Sequence, residues 1–168
     1  MENFVEIVVE KKMNAMDKVK WFIATFIPLM IGTSLVFAIG GPFRVLAVLV
    51  CAGLYYLGYK IFNSFYIEWE YTLVSNEISF AKIVNKSRRK DIVTLDISKT
   101  EIMAKINDKQ HVSSRQCNAK HYSFISQTNN EYYFVVGYDK AGNKVCIDFE
   151  PDDRILEVFR TLARSKVF

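Results

Sequence analysis

Two kinds of hydrophobic pattern divide this chain. From Trp21 to Tyr59 the only charged residue is Arg44, and apolar residues continue without a polar face. Trp21 to Ile39 is nineteen uncharged residues, and a helix of that length spans about 28 Å at roughly 1.5 Å per residue, close to the hydrocarbon thickness of a bilayer. Gly40, Gly41 and Pro42 interrupt the run. Phe43 to Phe62 supplies a second span of twenty residues, with Arg44 and Lys60 near its ends, where long cationic side chains reach the interface. Backbone groups in lipid must bond within the chain, so both spans are expected to be helical. The short link makes them an antiparallel hairpin, and Pro28 predicts a bend in the first.

From Tyr66 the period shortens to two. Trp69, Tyr71 and Leu73 alternate with Glu68, Glu70 and Thr72, the pattern of a half-buried strand whose Glu68 and Glu70 face solvent. Ser75-Asn76-Glu77 reads as a turn and Ile78 to Ile83 as a second strand, with a bulge predicted where alternation breaks between Phe80 and Ile83. After the polar loop Asn85 to Arg89, strands are expected over Asp91–Ile97 and Glu101–Ile106. Asn107 to Lys120 lacks apolar periodicity and reads as a long surface loop. Tyr122–Ser126 and Glu131–Tyr138 are expected to pair across Thr128-Asn129-Asn130. Asp139-Lys140-Ala141-Gly142-Asn143 is a turn signal, followed by a last strand, Lys144–Phe149.

The ending changes period again. Glu150 can cap a helix, Pro151 suits its first position, and Asp152 and Asp153 favour its N-terminus. Ile155, Leu156, Phe159, Leu162 and Ala163 then share one face. Seven strands and a final amphipathic helix fit a barrel or a bent sandwich of antiparallel strands, one open end of which the helix can plug. The leader, residues 1–20, places Phe4, Ile7, Val8 and Met13 at roughly helical spacing. Two placements fit it equally: a short amphipathic helix on the membrane face, or packing against the soluble domain.

Charge sets the orientation. Lys11, Lys12, Lys18 and Lys20 precede the first span, and Lys60 and a basic stretch follow the second, whereas the turn offers Arg44 alone. The positive-inside rule counts cations, and it places both termini in the cytoplasm of a multi-pass cell-membrane protein. Trp21, Tyr55, Tyr56, Tyr59 and Tyr66 form an aromatic belt at that interface. A cleaved signal is disfavoured, because the leader carries four acidic residues and the apolar run exceeds the usual ~7–15 residues. Core helices of a soluble protein rarely run so long without charge. Gly53 with Gly58, and Gly32 with Ser34, lack the spacing of a helix-contact motif. From Tyr66 the chain carries 16 Lys and Arg against 14 Asp and Glu, a near-neutral, water-soluble balance. Three scattered cysteines fit a reducing compartment and no disulfide framework.

The order of strands and final helix resembles the pleckstrin-homology-like (PH-like) fold. Glu70-Tyr71-Thr72-Leu73-Val74-Ser75-Asn76-Glu77-Ile78-Ser79-Phe80 is similar to the opening hairpin of bacterial PH-like domains. Lys86-Ser87-Arg88-Arg89-Lys90 and Ile92-Val93-Thr94-Leu95-Asp96 fit the next. The whole chain resembles small two-span membrane proteins of Gram-positive bacteria with a PH-like tail. The resemblance implies an α+β membrane protein: leader 1–20, transmembrane hairpin 21–62, and a PH-like antiparallel β-barrel with a C-terminal helix over 66–168. Its motifs are structural and bring no functional residues.

Candidate chemistry is sparse. Lys82, Lys86, Arg88, Arg89 and Lys90 form the sharpest cluster, suited to anionic lipid headgroups or a protein partner. Near neutrality and the lack of a reading motif argue against nucleic acid. His111, Cys117 and His121 lie within eleven residues, but structural zinc needs four ligands and the cations between them would repel an ion, so no metal or cofactor is expected. Without a glycine-rich phosphate loop or a catalytic constellation, the expectation is a non-enzymatic binding or scaffolding module. The alternatives are an accessory subunit of a larger membrane complex, or an enzyme with its site over Asn107–His121.

Overall fold

The computed structural model describes residues 4–115, 118–126 and 131–168. They form two units: the described residues of 4–12, 68–83 and 88–168 in one, residues 13–67 and 84–87 in the other. In the second unit, α1 (Ala15–Ala38) and α2 (Arg44–Ser64) are joined by a 3-10 turn at Gly41–Phe43. Both are long and apolar enough to cross a membrane. Their large apolar side chains, including Phe22, Phe26, Met30, Leu46 and Leu49, are mostly exposed.

The two helices touch at particular glycines. A Cβ on Gly32 would lie 2.7 Å from Cys51 Sγ and 3.3 Å from its Cα, and one on Gly58 would lie 3.2 Å from the Ala24 carbonyl oxygen. Pro28, four residues after Ala24 inside α1, has no N–H to give that carbonyl, so Gly58 packs where the helical ladder is interrupted. Gly53 has nothing within 4 Å, and Ser34 bonds within its own helix to the Met30 carbonyl. Half of the small residues set aside on spacing are therefore contact positions.

Among the described residues the first unit holds eight strands, not seven. β1 (Phe4–Glu10), β2 (Ile67–Val74), β3 (Glu77–Val84) and β4 (Arg88–Asp96) form one four-stranded sheet in that order. β5 (Ile102–Lys105), β6 (Lys120–Ser123), β7 (Tyr133–Tyr138) and β8 (Lys144–Phe149) form another, ordered β5-β7-β8-β6. The barrel expectation is thus corrected to two separate sheets. The bulge expected between Phe80 and Ile83 falls inside the single strand β3, in which Phe80 and Ala81 are both buried.

The leader is a strand. β1 runs antiparallel to β2, with Val5 opposite Leu73 and Val9 opposite Trp69. Val5 is 8% exposed, and Ile7 and Val9 pack against the same core. Backbone pairing with β2 overrides the helical spacing of Phe4, Ile7 and Val8, because an extended chain turns Val5, Ile7 and Val9 to one face.

The expected hairpin of Tyr122–Ser126 with Glu131–Tyr138 does not form. β6 pairs in parallel with β8, and β7 lies between β5 and β8. The loop from 107 to 120 contains a one-turn helix, α3 (Val112–Arg115). At the C-terminus, α4 (Asp153–Leu162) buries Ile155, Leu156, Val158 and Phe159, whereas Leu162 is exposed. Asp152, not Glu150, caps it, accepting from the Ile155 N–H at 2.9 Å.

The core joins both sheets. Phe80 stacks on Phe124 at 5.0 Å and meets Tyr71 and Phe149 edge-on. Each such ring, fully buried, contributes about 1.5–3 kcal/mol. The Tyr71 hydroxyl donates to the Phe124 carbonyl at 2.5 Å; burial first, then the nearby Glu150 charge, pushes its pKa far above the usual phenol range. Glu150 is buried and accepts from the Ser126 N–H at 2.5 Å and its hydroxyl at 2.9 Å, while the Ser126 carbonyl accepts from the Lys12 N–H at 2.8 Å. That chain of bonds holds the end of the leader against the domain.

Candidate functional site

The basic cluster is built on the β3–β4 hairpin. Its turn places Asn85 and Lys86 at φ +52° each; a non-glycine residue in that region is held at a cost of roughly 1–2 kcal/mol. The Asn85 N–H donates to the Tyr66 carbonyl at 2.8 Å. Tyr66 lies two residues past the end of α2, so within the helical unit the Lys86 turn is seated against that helix's end. The same end carries rings: Trp21 lies 5.6 Å from Phe62, and Phe62 lies 5.4 Å from Tyr66. The Lys60 ammonium sits 5.3 Å from the Tyr56 ring centre.

The five cations differ in their surroundings. Lys86, Arg88 and Lys90 are exposed and Lys82 is half-buried. Arg89 is engaged, its guanidinium 2.9 Å from Glu70 and 3.4 Å from Asp91. Glu70 is 4% exposed and also accepts from the Thr72 hydroxyl, which corrects its solvent-facing assignment: β2 is an interior strand, and Arg89 covers the carboxylate. Among the described residues Lys82, Arg88 and Lys90 have no ion-pair partner.

A hollow of about 560 Å³ lies between β1 and the start of α4, lined by Ile7, Val9 and Tyr133 and by Glu131, Glu150, Asp152 and Asp153. Four carboxylates make it hostile to an anionic ligand.

A third constellation was not legible in the chain. In the parallel register His121 on β6 lies opposite Cys146 on β8, and Asp148 follows two residues on, on the same strand face. Donor atoms of these three residues lie within 4.8 Å of one another. Asp148 accepts from Arg115 Nη2 at 2.6 Å and Nε at 3.1 Å, and His121 Nε2 is 3.1 Å from it. The carboxylate raises the Arg115 pKa through its hydrogen bonds. His111 has other partners: Asp108 Oδ2 at 2.7 Å and the Phe168 ring, stacked at 4.4 Å. Its hydrogen bond holds the Asp108 carboxyl below the usual range. His111 and His121 therefore serve separate clusters, and Cys117 lies outside the described residues. Parallel pairing of strands more than twenty residues apart joined His121 to Cys146 and Asp148, and local spacing carries no trace of it.

Two sheets followed by an amphipathic C-terminal helix fit the expected fold type. The chain belongs to the family described as a bacterial PH-like domain (DUF6106). The match covers residues 1–168, taking in β1, both long helices and both sheets. No curated protein and no solved structure matches the chain. Membership agrees with the resemblance read from the opening hairpin, and it leaves the basic turn and the His121 cluster to be interpreted from their own geometry.

Proposed function

We propose that this protein is a membrane-anchored, non-enzymatic binding or scaffolding module. In this reading α1 and α2 span the cell membrane as a hairpin with both termini cytoplasmic, and the PH-like domain works at the inner leaflet. The observation that carries it is the Asn85–Tyr66 hydrogen bond, which seats the Lys86 turn against the end of an apolar helix. A cation there meets the headgroup layer, where each contributes about 1 kcal/mol toward an anionic surface, a factor of roughly five. Anchoring also raises the local concentration of the domain toward a protein partner on the same membrane, so weak contacts suffice.

The test uses the full chain in nanodiscs with spin-labelled phosphatidylglycerol or phosphatidylcholine, measuring by EPR which lipid occupies the protein boundary. The wild type is expected to enrich the anionic lipid several-fold. Changing Lys82, Lys86, Arg88 and Lys90 to Ser, with Arg89 kept because it covers Glu70, is expected to abolish the preference. An unchanged preference in that variant refutes lipid contact through this turn.

A second reading, an accessory subunit whose hairpin packs against other spans, is favoured by Gly53, an open glycine on α2 where another helix could approach closely. Crosslinking in native membranes separates the two: products containing further spanning chains support the subunit reading.

A further inference from the structure

We infer that His121, Cys146 and Asp148 form a binding site for a borderline-soft divalent cation of the Zn²⁺ type, and that Arg115 occupies the Asp148 carboxylate when the ion is absent. The donor set is the first argument. Imidazole, thiolate and carboxylate together are the ligands that zinc-like ions select. Bonds of about 2.0–2.3 Å in a tetrahedron hold ligand atoms roughly 3.3–3.7 Å apart. The His121–Asp148 pair is already at 3.1 Å, and all three donors lie within 4.8 Å, so closure onto an ion needs shifts of about an ångström.

The setting is the second argument. Cys146 and Asp148 are each 1% exposed, and Cys146 packs with Ala104, Phe134 and Val136. A carboxylate in such surroundings needs a cation, which Arg115 supplies in the absence of an ion. The His121 side chain, 44% exposed, gives the route in from solvent. Three protein ligands leave the fourth position to water.

Arg115 makes the site switchable. It is carried on the single turn of α3 and binds both oxygens of Asp148. An incoming dication and the guanidinium compete for one carboxylate, and the ion takes Cys146 as the thiolate. Metal binding is thus predicted to displace Arg115 and loosen the α3 turn, while metal loss re-forms the ion pair.

The experiment titrates the full chain in detergent with Co²⁺, in a background with Cys51 changed to Ala and Cys117 to Ser. Cys146 is then the only thiol. The expected result is a tetrahedral cobalt spectrum with a thiolate-to-metal charge-transfer band, displaced by Zn²⁺. Cys146→Ser is expected to remove the band, and His121→Ala to weaken binding at least tenfold. Arg115→Met is expected to tighten binding several-fold, because the competitor is gone. The His121 side chain is 44% exposed, so His121→Ala keeps the fold, which circular dichroism checks even where Arg115→Met fails to fold. Absence of a charge-transfer band at excess cobalt, or a folded His121→Ala variant that binds as the parent does, overturns the site. Unchanged or weaker binding in folded Arg115→Met overturns the exchange.

Discussion

Replacing Val5 or Val8 by Ala separates the two possible states of the leader. As a strand, β1 turns Val5 inward and Val8 outward: Val5 is 8% exposed and opposite Leu73, whereas Val8 is 49% exposed and opposite Glu70. Val→Ala removes two carbons, which at ~0.8 kcal/mol per buried methylene is about 1.6 kcal/mol. The small cavity left behind brings Val5→Ala to about 2 kcal/mol. At Val8 most of that area is already wet, and the loss stays within about 0.5 kcal/mol. The assay is urea unfolding of the full chain in detergent, in a Trp21→Phe background, so that Trp69 fluorescence reports on the domain. Trp69 lies opposite Val9 and packs edge-on against Phe124 at 5.2 Å, within the region under test. With a slope near 2 kcal/mol per molar, the midpoint falls by about 1 M for Val5→Ala and about 0.25 M or less for Val8→Ala. A helix lying on the membrane would instead share one face among Phe4, Ile7 and Val8, leaving Val5 idle. Equal shifts, or a larger one at Val8, refute the strand.

Three further outcomes are expected. Gly32→Ile drives a side chain into Cys51, where even a Cβ meets Sγ at 2.7 Å; overpacking of this kind costs about 1–3 kcal/mol and lowers the melting temperature in detergent, whereas Gly53→Ile leaves it unchanged. Glu150→Ala removes the buried carboxylate that accepts from the Ser126 N–H and hydroxyl and is expected to cost about 2 kcal/mol, more than the ~1 kcal/mol for removing the α4 cap with Asp152→Ala; urea midpoints of the two variants give the order. Hydrogen bonds from Lys144 and Tyr138 hold the Glu101 pKa below its ordinary 4.5, so its stabilisation is present above that pH and is lost as pH falls through the lower folded value. The difference in urea midpoint between wild type and Glu101→Gln is accordingly expected to shrink below pH 4.5 and to be constant from there to neutrality.

What could be read along the chain was whatever depends on near neighbours. Nineteen uncharged residues from Trp21 predict a long apolar helix, and period-two runs bounded by Ser75-Asn76 and Asp139–Asn143 predict strands and turns. The latter turn closes as expected, with Gly142 at φ +82° and the Asp139 side chain accepting from the Asn143 N–H at 2.8 Å. The basic stretch was visible for the same reason, since Arg88, Arg89 and Lys90 are adjacent.

Long-range pairing decided the rest. Whether Phe4–Glu10 is strand or helix depends on β2, nearly sixty residues away, whose backbone outweighs a weak local periodicity. Whether Arg89 is available or engaged depends on Glu70 across the sheet. Cys146 and Asp148 are two ordinary residues of a buried strand until parallel β6 sets His121 beside them and α3 brings Arg115. Composition and period act within a turn or two of the chain and so are written in its order. A site made by strand register is written only in three dimensions, because the hydrogen bonds that align its residues join segments with no local reason to meet.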